Sequence, residues 1–122
     1  LSHSLVSAET LKEEGYDDKV IYAIKAHNDV HGIPLKSEMD IALFSSDPVS
    51  GLIVASALIK QEKSLSSIDA EFVFNRYKEK SFAKGANRNS MLLSERLGYE
   101  LLEFFEVSLR GMKKISKELG LH

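Results

Sequence analysis

The chain has 122 residues, of which 43% are hydrophobic and 28% are charged, values typical of one soluble globular domain and too apolar for disorder. Sixteen basic and eighteen acidic residues leave a net charge of -2, so no overall field attracts nucleic acid or an anionic membrane. The absence of cysteine excludes disulfides, thiolate zinc sites and a cysteine nucleophile. We expect one cytoplasmic domain over residues 1–122, with no membrane span and no nucleic-acid duplex as partner.

Apolar residues at helical spacing predict an all-α fold of five to seven helices, and no period-2 alternation indicates strands. The first helix is expected over residues 4–14 and ends at Gly15, a left-handed cap. Asp17 is the expected N-cap of the second helix, which is predicted to run to about His27. The end of the first helix and the start of the second are both predicted from residue types that are common at helix ends.

The third predicted helix contains the most apolar part of the chain. Ser37 and Asp40 have the spacing of a capping box at its start. Pro48 then interrupts the pattern, so either the helix continues through a kink or Asp47 caps a fresh helix with Pro48 in its first turn. Residues 49–59 are apolar nearly all round, which places them at the centre of the core.

The remaining segments also have helical patterns. A helix is predicted over 68–80, followed by a small-residue basic turn over 81–88. Two amphipathic helices over 89–97 and 99–119 follow, separated by Gly98.

Two polar residues lie where the pattern is otherwise apolar. His27 comes one turn after Ala23 and Ile24, so it is either a core histidine bonded to backbone or a ligand facing a cleft. Asp47 is either the helix N-cap described above or a metal ligand, because hard divalent cations prefer oxygen ligands.

Basic residues offer a third candidate site. Lys80, Lys84 and Arg88 cluster around a glycine turn and could bind phosphate, although such clusters are also common on ordinary solvated surfaces. His3 lies near the start of the first helix, where a helix N-terminus attracts phosphate.

Three segments follow one another in order along the chain: AIKAHND (23–29), ALFSSDPVSGLIVASALI (42–59) and KSFAKGANR (80–88). Together they resemble the C-terminal two thirds of a small HD-domain metal-dependent phosphohydrolase. The opening HSLVSAETL (3–11) resembles the stretch after the family's metal-binding helix.

The resemblance implies a helical bundle that holds one or two divalent metal ions and hydrolyses a nucleotide or another phosphate ester. It implies that Asp47 is a metal ligand. It also implies that His3 and His27 line the cleft as catalytic residues, in contact with phosphate or a second metal. In such a site the imidazoles stabilise charge on the phosphate or donate to the leaving group.

The sequence departs from the family at one decisive point, because it contains no His-Asp dipeptide. Since the chain begins at Leu1, we expect an N-terminally incomplete domain without appreciable phosphohydrolase activity of its own. The helix over 49–59 then loses part of its covering, which predicts a homodimer through that face. Two alternatives are a non-catalytic helical binding or regulatory module with a degenerate HD fold, and an unrelated all-α interaction protein.

Overall fold

The computed structural model describes residues 3–27 and 33–121. These residues form helices and no strands, so the all-α prediction is confirmed, and the six α-helices fall within the predicted range. The helices are α1 (His3–Glu13), α2 (Asp18–Ala26), α3 (Glu38–Leu58), α4 (Ala70–Lys78), α5 (Arg88–Met91) and α6 (Leu101–Lys114). Two 3₁₀ segments, Leu65–Ser67 and Leu92–Leu97, lie between them.

The predicted helix ends are formed by the expected residues. Gly15 follows α1 with φ 85°, a conformation that glycine adopts without steric cost. The carboxylate of Asp17 accepts the N–H of Lys19 at 2.8 Å at the start of α2. At the start of α3, Ser37 Oγ accepts the N–H of Asp40 at 3.2 Å, and Asp40 Oδ2 accepts the N–H of Ser37 at 3.1 Å. The capping box is therefore confirmed.

α3 continues through Pro48 as one helix of 21 residues. The alternative in which Asp47 caps a new helix is therefore wrong. Proline lacks the N–H of an internal helical bond and costs about 3 kcal/mol in a helix interior. Complete burial of Val49, Leu52 and Ile53 just after it offsets this cost, because each such side chain contributes about 1.5–3 kcal/mol.

The hydrophobic core is built around the second half of α3. α3 packs against α2 on one side and against α4, α5 and α6 on others. Its buried residues meet apolar side chains from the connections and the later helices. The buried members of this core are Val49, Leu52, Ile53, Ala57, Leu65, Ile68, Val73, Met91, Leu101, Phe104, Phe105, Leu109 and Leu121.

The last turn of α3 is less covered than the rest. Leu58 and Ile59 are 48% and 52% exposed, so the expectation that 49–59 is buried throughout holds only for one face. The predicted homodimer through this helix stays a prediction. By length and composition α3 could also cross a membrane, and 39% of its most apolar window is buried. Its residues Val49, Leu52, Ile53 and Ala57 belong to the hydrophobic core.

Candidate functional site

A cleft of about 530 Å³ lies between the end of α2, the middle of α3 and the loop before α5. His27 and Asp47, which the sequence singled out separately, both line it. The other lining residues are Phe44, Pro48, Gly51, Ala83, Gly85, Ala86, Asn87 and Ser90. The fold thus brings the segments around residues 27, 47 and 85 to one place, although they are far apart in the sequence.

His27 occupies the position directly after the last turn of α2. Its backbone N–H donates to the carbonyl of Ala23 at 3.0 Å, and its ring Nδ1 lies 2.5 Å from the carbonyl oxygen of Ile24. Because a carbonyl only accepts, Nδ1 is the donor in this contact. His27 therefore combines both alternatives: it is bonded to backbone and it lines a cleft.

Asp47 lies on a helix face and not inside the core. Phe44, Asp47, Pro48 and Gly51 are spaced i, i+3, i+4 and i+7, so they share one face of α3, and all four line the cleft. The carboxylate is exposed and pays no large desolvation cost. The apolar character of the surrounding sequence comes from the opposite face of the helix, where Val49 is buried.

Gly51 leaves the α3 wall of the cleft open. A Cβ placed on this residue would meet no heavy atom within 4 Å. The open cleft, and no neighbouring helix, therefore lies beside this position.

Arg88 shapes the opposite wall by binding backbone carbonyl groups. Its Nη2 donates to Phe82 O at 2.6 Å, and its Nη1 donates to Ala83 O at 2.8 Å. All three guanidinium nitrogens donate to backbone carbonyls in this way, so Arg88 holds the loop, and the prediction that it binds phosphate stays a prediction. The other carbonyl partners are those of Arg76, Tyr77, Glu79 and Ala86.

Lys80 and Lys84 border a second depression of about 450 Å³ on the other side of this loop. Both lysines are exposed. Gly85, Ala86 and Asn87 line this depression and the first cleft alike, so the two are separated by a wall of small residues. Asn87 is also the N-cap of α5, where its Oδ1 accepts the N–H groups of residues 89 and 90.

The residues described by the structure do not fit the metal site that the family resemblance implies. Within 3–27 and 33–121, no three histidine, aspartate or glutamate side chains come together to hold a metal ion. Asp47 and His27 line one cleft but offer only two such side chains, whereas tightly bound metals usually have three or more protein ligands. His3 is the first residue of α1, and its side chain lies outside the described part of the chain.

No known protein family matches this sequence, and no curated protein or solved structure is detectably similar to it. The resemblance to HD-domain phosphohydrolases therefore stays a prediction.

Proposed function

We propose that this chain binds a phosphorylated small molecule or nucleotide across the cleft. The observation that supports the proposal is that His27, Asp47 and the loop before α5 meet in one concave site. In the proposed orientation the phosphate lies against the loop before α5, on the far side of which Lys80 and Lys84 lie, and the rest of the ligand lies along α3.

The charges of Asp47 and of the two lysines are the reason for this orientation of the ligand. A carboxylate repels a phosphate group, so Asp47 accepts hydrogen bonds from hydroxyl or amino groups of the ligand. Lys80 and Lys84, beyond the shared wall, supply positive charge for the phosphate. His27 also lines the cleft, and its ring contacts the ligand there.

Phe44 and Pro48 give the cleft an apolar side. Both lie on the same face of α3 as Asp47 and are partly exposed. A flat or weakly polar ring packs against such a surface, while polar groups at its edge reach the carboxylate. This combination of apolar wall and few polar groups is typical of ligand sites and favours a nucleotide or sugar phosphate over inorganic phosphate alone.

Hydrolysis of the ligand is a separate proposal. The family's metal-dependent reaction requires ligands in addition to Asp47, and the described residues do not provide a third. We therefore expect this chain to bind the ligand without appreciable turnover. The expectation is the same whether the chain is a phosphohydrolase domain that lacks its metal ligands or a non-catalytic binding module. Robust hydrolysis of AMP by the purified chain with Mg²⁺ or Mn²⁺ would contradict this expectation.

The orientation predicts a ligand-dependent effect of Asp47→Asn. The substitution keeps the size of the side chain and one acceptor oxygen, but it removes the negative charge that strengthens the hydrogen bonds from the ligand. Since a hydrogen bond to a charged group contributes about 1.5–3 kcal/mol, AMP or glucose 6-phosphate should bind about tenfold to 100-fold more weakly. Inorganic phosphate should bind no more weakly than to the wild type. Isothermal titration calorimetry measures all three affinities.

Asp18→Asn is the matched control, because Asp18 is exposed in the first turn of α2 and does not line the cleft. It should leave the affinity for AMP unchanged. Equal affinity of wild type and Asp47→Asn for both organic phosphates would show that the ligand does not lie along α3.

Filling the cleft should also prevent binding. Gly51→Leu places a side chain into the open space beside α3, and we expect the affinity for AMP to fall at least tenfold. Gly111→Leu is the control, because Gly111 is an exposed position of α6 with equally open surroundings. Both variants should unfold at similar urea concentrations. Unchanged AMP affinity in Gly51→Leu would place the ligand elsewhere.

A further inference from the structure

A groove of about 500 Å³ lies between α6 and the start of α4. Its α6 side is lined by Leu102, Glu106, Leu109, Arg110 and Lys113. All of these except Arg110 are spaced i, i+4, i+7 and i+11, which is the spacing of the residues along which two α-helices pack against each other. Leu102, Glu106 and Lys113 are exposed, so this face of α6 is not covered by another described helix.

The base of the groove is apolar. Leu109 is 4% exposed and belongs to the hydrophobic core. Leu102 precedes it by two helical turns and is 39% exposed, and Ala70 adds a small apolar side chain from α4. Leu102 is therefore the apolar side chain of this groove that gains most from being covered by a partner, because burial of apolar surface stabilises a complex.

The rim of the groove carries charges of both signs. Its acidic residues are Asp69, Glu71 and Glu106, and its basic residues are Arg110 and Lys113. Three acidic against two basic residues favour neither a strongly acidic nor a strongly basic partner. Along the groove face of α6 the acidic residue comes first and the two basic residues follow. The partner that suits this face therefore carries the same charges in the opposite order.

A second copy of this chain meets that requirement when its α6 runs antiparallel. About a two-fold axis near residue 108, the midpoint between 106 and 110, Glu106 of each copy would lie opposite Arg110 of the other. Leu102 of each copy would lie opposite Lys113, whose long aliphatic stem can cover it. A parallel second copy would place like charges side by side, which costs free energy. The charge order of α6 thus selects one orientation.

We infer that two copies of this chain form a symmetric dimer through this groove, with their α6 helices antiparallel. A two-fold interface uses the same patch on both copies, so the patch must complement itself, as this one does. α6 has 14 residues and is about 21 Å long at 1.5 Å per residue. A contact along one such helix is small beside the about 800 Å² per partner of a typical stable complex, so the dimer is weak.

This dimer does not depend on the proposed function, because no residue of the groove lines the cleft. It also uses a different face from residues 49–59 of α3, through which the sequence predicted a homodimer. Salt separates the two faces. Charge pairs at the α6 groove are screened by salt, whereas an apolar contact through Leu58 and Ile59 is not weakened in this way.

Sedimentation equilibrium of the purified chain measures the association. The average mass should rise with protein concentration from 13.6 kDa towards twice this value. The dissociation constant should increase at least about threefold between about 0.05 and 0.5 M NaCl, since salt screens exposed charge pairs. A mass that stays at that of one chain up to about 1 mM protein, or association that salt does not weaken, would contradict the inferred dimer.

Leu102→Ala tests the apolar anchor. Each dimer loses two leucine contacts, so the dissociation constant should increase at least about tenfold. Val107→Ala is the matched control, because Val107 is 43% exposed on the same helix but does not line the groove. It should associate like the wild type. A dimer that survives Leu102→Ala but is lost in Ile59→Ala would move the interface to α3 and overturn the inference.

Glu106→Arg and Arg110→Glu test the antiparallel register. Each variant alone places like charges opposite each other twice in every dimer, so each should self-associate at least about tenfold more weakly than the wild type. In an equimolar mixture, one copy of each variant restores both opposite-charge pairs, and association should return to about the wild-type level.

Both charge variants should remain folded. The ion pair between these two residues within one helix, at 3.3 Å, is exposed, and such pairs contribute little to stability. Circular dichroism of each variant checks this. Wild-type self-association of either single variant, or no gain of association on mixing the two, would overturn the antiparallel dimer.

Discussion

Phe105→Ala should lower the free energy of unfolding by about 3–5 kcal/mol, the usual cost of removing a buried phenylalanine. Phe105 is fully buried at the centre of α6. Its ring centroid lies 6.2 Å from that of Phe74 and 5.7 Å from that of Tyr77, so the substitution removes two aromatic contacts and leaves a cavity between α4 and α6. For a chain of this size the loss is a large part of a total stability of about 5–15 kcal/mol.

Urea denaturation followed by circular dichroism measures this loss. Val107→Ala is the control on the same helix, because Val107 is 43% exposed and a substitution at such a surface position changes stability by about 0.5 kcal/mol or less. A loss below about 1 kcal/mol for Phe105→Ala would contradict the packing of α6 against α4.

Asp40→Ala should lower the free energy of unfolding by about 2–4 kcal/mol. Asp40 is 1% exposed, and its Oδ2 accepts the N–H groups of Lys36 at 2.8 Å and Ser37 at 3.1 Å. Alanine leaves both donors without an acceptor at the start of α3, and each bond to a charged group is worth about 1.5–3 kcal/mol. The estimate is below twice that value because the charged form of Asp40 is itself costly to bury.

Two related variants separate the carboxylate from the helix cap. Ser37→Ala removes the reciprocal bond to the N–H of Asp40 and should cost about 1 kcal/mol. Asp40→Asn keeps an oxygen for the two N–H groups, so it should lose less stability than Asp40→Ala. Part of the loss remains, because its NH₂ group is a buried donor at the place where Oδ1 has no hydrogen-bond partner among the described residues. Equal losses for Asp40→Ala and Ser37→Ala in urea denaturation would contradict this account.

The ends of the helices could be predicted because they depend on local chemistry. A side chain that caps a helix binds an amide two or three residues away, as Asp17 and Ser37 do, so the sequence shows both partners at once. Gly98 was predicted to separate two helices, and this boundary is also local. The residue ends a 3₁₀ segment with φ 87°, a conformation that glycine adopts without steric cost.

Pro48 could not be placed from the sequence because two energies of similar size compete. The local cost of a proline inside a helix favours a break. The gain from burying the following apolar residues as one continuous helix depends on α4, α5 and α6, and the sequence does not show how those helices pack. Tertiary packing favours the continuous helix. Asp47 therefore lies in the wall of a cleft and not at the helix end that one of the two alternatives predicted.

Two of the residues that line the cleft, His27 and Asp47, were singled out from the sequence, whereas the place of the loop before α5 in its wall was not. His27 and Asp47 were recognised because polar residues within apolar patterns are unusual. The role of Arg88 depends on carbonyl groups from six residues that converge only after the loop has folded. The available signal was the cluster of Lys80, Lys84 and Arg88 around a glycine turn, which predicted phosphate binding and gave no sign that Arg88 binds backbone carbonyls.

The open space beside Gly51 has a consequence for the evolution of this chain. Within a helix, alanine in place of glycine is usually more stable by about 0.5–1 kcal/mol, and at position 51 nothing obstructs the additional carbon. The chain therefore forgoes a stabilisation that one substitution could supply. Stability alone therefore does not account for glycine at position 51, and the same holds for Gly111 of α6, whose surroundings are equally open.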